Sequence, residues 1–220
     1  MRKTIIPLLL FLLFLPALSM AAPPRQGAYM SGFIGGGVPS ETNVDSFDFD
    51  QNASFNDRVE FDPGIYLGAT GGYDFGMLRL EGELSYKNSE IKSITSNLDG
   101  NRLRNLDGDI GALAFMANGF FDFHNASMVT PYVGGGVGFA SLHLSDTTSG
   151  NVIVYGAGDD TVFAWQAGAG VEIALNRQVS LDIGYRYFGT QKADFESDIA
   201  IDTNMKFESH NAAVGVRFRF

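Results

Sequence analysis

The chain has 220 residues, with 25 acidic against 15 basic side chains, a formal net charge of −10 and no cysteine. The acidic balance argues against nucleic acid as a partner. The missing cysteine excludes a disulfide framework and a lipidated cysteine, so stability has to come from the fold itself.

The first segment, MRKTIIPLLLFLLFLPALSMAAPP, opens with Arg2 and Lys3, continues through an apolar run from Ile5 to Leu15 and closes on small residues. That is the layout of a secretory signal peptide, too short and wrongly flanked for a spanning helix. Ser19 and Ala21 satisfy the small-x-small rule, so cleavage is expected after Ala21, with Ala22 as second choice. Residues 1–21 are thus expected to be removed and 22–220 to form one domain of ordinary size. Loss of Arg2 and Lys3 lowers the 15 basic residues to 13 against the same 25 acidic ones, a net charge of −12.

From residue 27 onward apolar residues recur at every second position, the period of strands rather than helices. A strand near 28–38 leads into a long connection, 39–62, and then GIYLGATGGYDF sets Ile65, Leu67, Ala69, Tyr73 and Phe75 against Tyr66, Gly68, Thr70, Gly72 and Asp74. After a tight turn at Gly76, LRLEGELSYK sets Leu78, Leu80, Leu84 and Tyr86 against Arg79, Glu81, Glu83, Ser85 and Lys87. A long connection, 89–106, precedes two strands near 107–123 and 130–144, both rich in glycine and alanine on each face and joined by a short link. Another long connection, 145–160, leads to VFAWQAGAGVEIAL, then a tight turn at Asn176, then VSLDIGYRY with Asp182 and Arg186 on its polar face. A last long connection, 189–206, precedes the final strand, whose apolar positions are His210, Ala212, Val214, Val216, Phe218 and Phe220.

Eight antiparallel strands with tight turns at one end and long connections at the other predict an all-β, up-and-down transmembrane β-barrel, with short periplasmic turns and four long outer loops. Each segment reaches the 9 to 11 residues that crossing requires. A soluble eight-stranded barrel would carry a densely charged outer face, whereas the polar face of 162–174 offers mostly Ala, Gly and Val, which suit a narrow interior. The charged residues Arg79, Glu81, Glu83, Glu172, Asp182, Arg186 and Arg217 are therefore expected inside, as a paired network of both signs. The aromatic residues then fall into two belts, Tyr73, Phe75, Phe121, Phe123, Tyr132 and Phe218 near one rim and Tyr86, Phe163, Trp165, Tyr185 and Tyr187 near the other.

TPYVGGGVGFA, FAWQAGAGVEIALNRQVSLDIGYRYFGT and the terminal VRFRF resemble the outer-membrane β-barrel superfamily that includes opacity-type porins, the barrel of outer-membrane protein A and rickettsial-type surface antigens. The resemblance covers essentially the whole mature chain. It implies residence in the outer membrane of a Gram-negative bacterium, in contact with membrane lipid and lipopolysaccharide. It also implies that Phe218 and Phe220 form the sorting signal read by the barrel-assembly machinery, and it points to a surface antigen or adhesin-like protein.

Chemistry is weakly marked. GGGV at 35–38 and GGGVG at 134–138 lack the Lys-Ser/Thr and the helix of a phosphate loop. Asp48, Asp50 and Asn52 have the spacing of a calcium loop, but Ala53 and Val59 stand where that loop needs glycine and glutamate, so no metal or cofactor is expected. His143 and Ser145 could serve a lipid A-modifying hydrolase only if a carboxylate oriented the histidine, and Asp146 points away in a regular strand. The expectation is a non-enzymatic interaction scaffold. Its surface is the acidic first loop, where Asp45, Asp48, Asp50 and Asp57 face only Arg58, and its ligand is a basic host or matrix protein; a narrow pore for ions or small solutes is the alternative.

Overall fold

The computed structural model describes residues 26–48, 53–96, 102–104, 106–125, 127–149, 152–195 and 201–220. The expected signal segment, residues 1–21, and Asp50 and Asn52 lie outside them.

Eight long strands make the wall: β1 (Gly27–Pro39), β2 (Gly64–Asp74), β3 (Leu78–Ser96), β4 (Asp109–Asp122), β5 (Val129–Leu144), β6 (Gly158–Ala174), β7 (Val179–Thr190) and β8 (Glu208–Arg219). Each pairs antiparallel with its neighbours in sequence, and β8 pairs with β1 as well as β7, so the ladder returns to its start. The Phe220 amide donates to the Ala28 carbonyl oxygen at 3.1 Å, so the last residue joins the first strand.

Local chemistry fixes the short turns. Gly76 adopts φ +104° and donates its amide to Asp74 Oδ1 at 2.8 Å, a conformation natural to glycine. Asn176 Oδ1 accepts the amides of Gln178 and Val179 at 2.8 and 2.9 Å, the side chain standing in for a backbone acceptor.

The wall has its apolar side chains outside. Leu80, Leu84, Phe115, Val137, Phe139, Ile183, Val214 and Phe218 are exposed, while Arg79, Glu81, Glu83, Asp122, Glu172 and Arg217 are buried. Such a surface is unstable in water and suited to hydrocarbon. Exposed rings gather at both ends, Tyr73 with Phe75 and Phe121 with Phe123 at the turn end, Phe139 with Phe163 and Trp165 with the half-buried Tyr187 toward the other. Tyr132 corrects the sequence reading. It is buried inside the wall, because PYVGGG places it on the face opposite Val133, and its hydroxyl donates to Asp182 Oδ1 at 2.7 Å. A Cβ at Gly170 would collide with that hydroxyl, so the glycine makes room for the ring.

The long connections are largely β-structure. Thr42–Asp48 and Ala53–Phe61 form a hairpin, Ile201–Met205 pairs with Thr42–Asp48 and with Ala193–Phe195, and Ala53–Phe61 pairs with the outer part of β3, which also holds Arg102–Arg104. A separate three-stranded sheet joins Leu106–Asp107, Thr147–Ser149 and Val152–Tyr155. These four arms, numbered in chain order, extend the wall as β-structure where the sequence suggested loops.

Candidate functional site

The enclosed space has two layers. In the half nearer the turns, Arg79 is fully buried; its Nε and Nη2 bind Asp122 at 3.0 and 3.2 Å and its Nη1 binds Glu81 at 3.2 Å. Its guanidinium lies 4.8 Å from the ring centres of both Phe120 and Tyr132, a cation–π seat that suits a delocalised cation. Arg186 pairs with Glu83 and reaches Glu81 at 3.4 Å, and Arg217 pairs with Glu172 and with Asp182 at 2.9 Å. All seven charged residues named from sequence thus meet in ion pairs. Sequence reasoning passed over Asp74, Asp122 and Arg219, which extend the set: Arg219 contacts Glu172 at 2.5 Å and Asp74 at 3.6 Å. It also passed over the neutral partners, Asn118 and Gln166, whose amides donate to Glu83 at 3.0 and 2.9 Å. The free cavity among Tyr66, Glu81, Tyr132, Asp182, Arg186 and Arg217 is about 20 Å³, space for about one water.

The half nearer the arms holds an apolar cluster beside buried polar groups, Ser89 of β3, Thr190 of β7 and Ser209 and Asn211 of β8. Ile110, Ala112, Ala114 and Met116 of β4, Ala140, Leu142 and Leu144 of β5, Val162 and Ala164 of β6 and Phe188 of β7 are buried in one cluster. That cluster runs on into the arms through Val44, Val59, Phe61, Ile91, Ile94, Phe195, Met205 and Phe207. Lys87 marks the junction: it is buried, donates to Ser85 at 3.2 Å and lies 3.9 Å from the centre of the Phe188 ring and 4.9 Å from that of Tyr66.

The first arm is less anionic than its sequence. Asp45 accepts from Lys192 Nζ at 2.7 Å and from Asn56 at 2.6 Å. These hydrogen bonds, with Lys192 the larger cause, hold its carboxyl below the usual range. Arg102 binds Glu60 at 2.5 Å and Lys92 binds Asp62 at 3.6 Å. Asp57 lies half-buried in the second strand of that hairpin, and Asp48 ends the first.

At the candidate hydrolase pair, Asp159 on the neighbouring strand supplies the carboxylate, 2.7 Å from His143 Nδ1. Ser145 is committed elsewhere, accepting the Asp109 amide at 2.7 Å and donating to the Asp109 carbonyl oxygen at 3.2 Å. His210 is exposed in the arm-side belt, with Nδ1 2.6 Å from the Tyr185 hydroxyl.

An antiparallel wall with hydrocarbon side chains outside and paired charges within defines a protein that crosses a membrane by strands. The chain belongs to the family described as outer membrane protein beta-barrel domain, whose profile matches residues 8–220. It is 29% identical to outer membrane protein PagN of Salmonella typhimurium, covering 93% of this chain and 94% of that protein. It is 24% identical to opacity protein opA60 of Neisseria gonorrhoeae, covering 68% of this chain and 76% of the relative. The solved structure of OprG from Pseudomonas aeruginosa shares the fold at 16% identity, with a TM-score of 0.65 and 91% and 100% of the two chains covered. The protein therefore resides in the Gram-negative outer membrane.

Proposed function

We propose that the protein is a non-catalytic surface scaffold: an eight-stranded transmembrane barrel with periplasmic turns and termini, whose four β-arms stand outside the cell and bind a protein partner carrying basic groups. The observation that carries this reading is the shared apolar cluster. Because Val44, Val59, Phe195, Met205 and Phe207 pack continuously with the interior of the wall, the first and fourth arms are held in one shape before any partner arrives, which lowers the entropy cost of binding. The ion-paired layer and the apolar cluster above it occupy much of the interior, which speaks against the pore alternative. The committed hydroxyl of Ser145 speaks against hydrolysis.

The test is display in a non-adherent Gram-negative host, scoring attachment to cultured epithelial cells and to immobilised matrix proteins. Attachment above the host background, reduced by raising salt, is expected. Attachment equal to background on every surface, from cells carrying the folded protein, overturns the reading.

A further inference from the structure

We propose that the third arm binds its partner by strand addition along the free edge of Val152–Tyr155, and that the partner segment is an extended polypeptide alternating β-forming and basic residues. This deepens the surface-scaffold reading and rests on it.

Two observations converge on that edge. Val152–Tyr155 is the terminal strand of the three-stranded sheet: it pairs on one side with Thr147–Ser149, and among the described residues no strand pairs with its other side. An open edge presents unsatisfied backbone donors and acceptors, and native sheets guard such edges with lysine, proline or inward charges. The run Val152, Ile153, Val154, Tyr155 has none of these guards and is composed of strong strand formers. The opposite end of the large outer sheet is different, since Ala193–Phe195 lies against β6 and the Asp194 amide donates to Asp160 Oδ2 at 2.9 Å.

The second observation is charge. Between Arg104 and Arg177 the sequence contains no lysine or arginine. Asp107 lies in the small sheet, and Asp109, Asp146, Asp159 and Asp160 stand on the segments that lead into and out of it; these four bond neutral groups or a histidine, Asn88 for Asp109, the Ala157 amide for Asp146, the Asp194 amide for Asp160 and His143 for Asp159. On the first arm, by contrast, Asp45, Glu60 and Asp62 each meet a fixed cation. The third arm therefore keeps its negative field, and a strand laid on its edge gains from lysine or arginine. Four residues of edge span about 13 Å, enough to register a short segment through main-chain bonds.

The test uses the full mature protein folded in neutral phosphocholine vesicles and a fluorescent octapeptide alternating valine and lysine. Two control peptides are needed, one with alternate amides N-methylated and one with glutamate in place of lysine. Binding to the first peptide is expected to weaken about tenfold on N-methylation, which removes the ladder donors, and to vanish with glutamate. Successive amides point to opposite edges, so of the variants Ile153→Pro and Val154→Pro the one that removes an outward donor should lose binding while heat-shifted gel mobility shows an intact barrel. Asp107→Asn with Asp159→Asn should weaken binding and flatten its salt dependence. Equal binding of the N-methylated peptide, or no binding of any peptide, overturns the proposal whatever the variants do. Self-association through this edge without peptide binding also overturns it. Unchanged epithelial attachment by both proline variants would remove the third arm from the mechanism and leave the scaffold reading standing.

Discussion

At the scale of single residues, the interior is a set of mutually dependent charges. Arg79 neutralises Asp122 and Glu81 with almost no water present, so Arg79→Met should cost on the order of 3–5 kcal/mol by leaving buried carboxylates unpaired. Urea titration of the protein in vesicles measures it, and a loss below about 1 kcal/mol, the scale of an exposed pair, would mean that water reaches the site. Gly170 makes a second residue-level prediction. Gly170→Val should displace the Tyr132 ring and destabilise the wall, and Tyr132→Ala in the same chain should recover part of the loss; additive losses would show that the two sites do not touch. Asp45 gives a pH prediction. Its folded pKa is depressed by Lys192 and Asn56, so the link between first and fourth arms is fully present above the ordinary aspartate value of about 3.9 and is lost as pH falls through the lower folded value. The contribution is small because both side chains are about half exposed. Titration of the Asp45 carboxyl carbon by NMR should give a midpoint below 3.9 that moves back up in Lys192→Met, and an unmoved midpoint would contradict the pairing.

At the scale of elements, the first, second and fourth arms behave as extensions of their strands because their buried faces continue the interior cluster. Phe195 is fully buried among Met205, Phe207 and neighbours, so Phe195→Ala should lower the local stability of the fourth arm by about 3–5 kcal/mol. Amide exchange should then accelerate across Ala193–Phe195 and Ile201–Met205 while the wall keeps its heat-shifted mobility; uniform acceleration everywhere would show that arm and wall unfold as one. For the same reason, deleting 43–57 is not a neutral loop trimming. It removes Val44 and the strand paired with Ile201–Met205, so a binding defect in that deletion would report a collapsed outer sheet as well as lost contacts.

At the scale of the whole molecule, the occupied interior sets the electrical behaviour. The folded protein in a planar bilayer should be silent under voltages that open narrow pores, and Glu83→Gln with Arg186→Met should leave it silent because the apolar layer above the network remains. Reproducible open events whose selectivity changes in that double variant would revive the pore reading. Phe218 and Phe220, exposed at the turn end, are proposed to carry the assembly signal, so Phe220→Ala should reduce the fraction of chain reaching the folded state in cells while leaving the stability of the protein that does fold nearly unchanged.

How much of this was legible in the sequence follows from the period of the pattern. In β3, β7 and β8 one face is apolar and the other polar, so alternation alone assigned Arg79, Glu81, Glu83, Asp182, Arg186 and Arg217 to one side. In β4 and the outer parts of β5 and β6 both faces are apolar or small, as in IGALAFMA at 110–117, and periodicity is blind where it has no contrast. The apolar inner layer was therefore invisible, and with it the reason that the first and fourth arms are ordered. Tyr132 was misplaced because a glycine-rich stretch gives little pattern from which to choose a face. The sequence by itself determined the strand period, the tight turns and the inside-out distribution of charge, because these depend on neighbours two to four residues apart. Which carboxylate meets which guanidinium, that Asp45 is neutralised by a lysine 147 positions away, and that Val152–Tyr155 pairs on one side only among the described residues were decided only by the tertiary structure. Those contacts join residues whose separation along the chain carries no information about their separation in space.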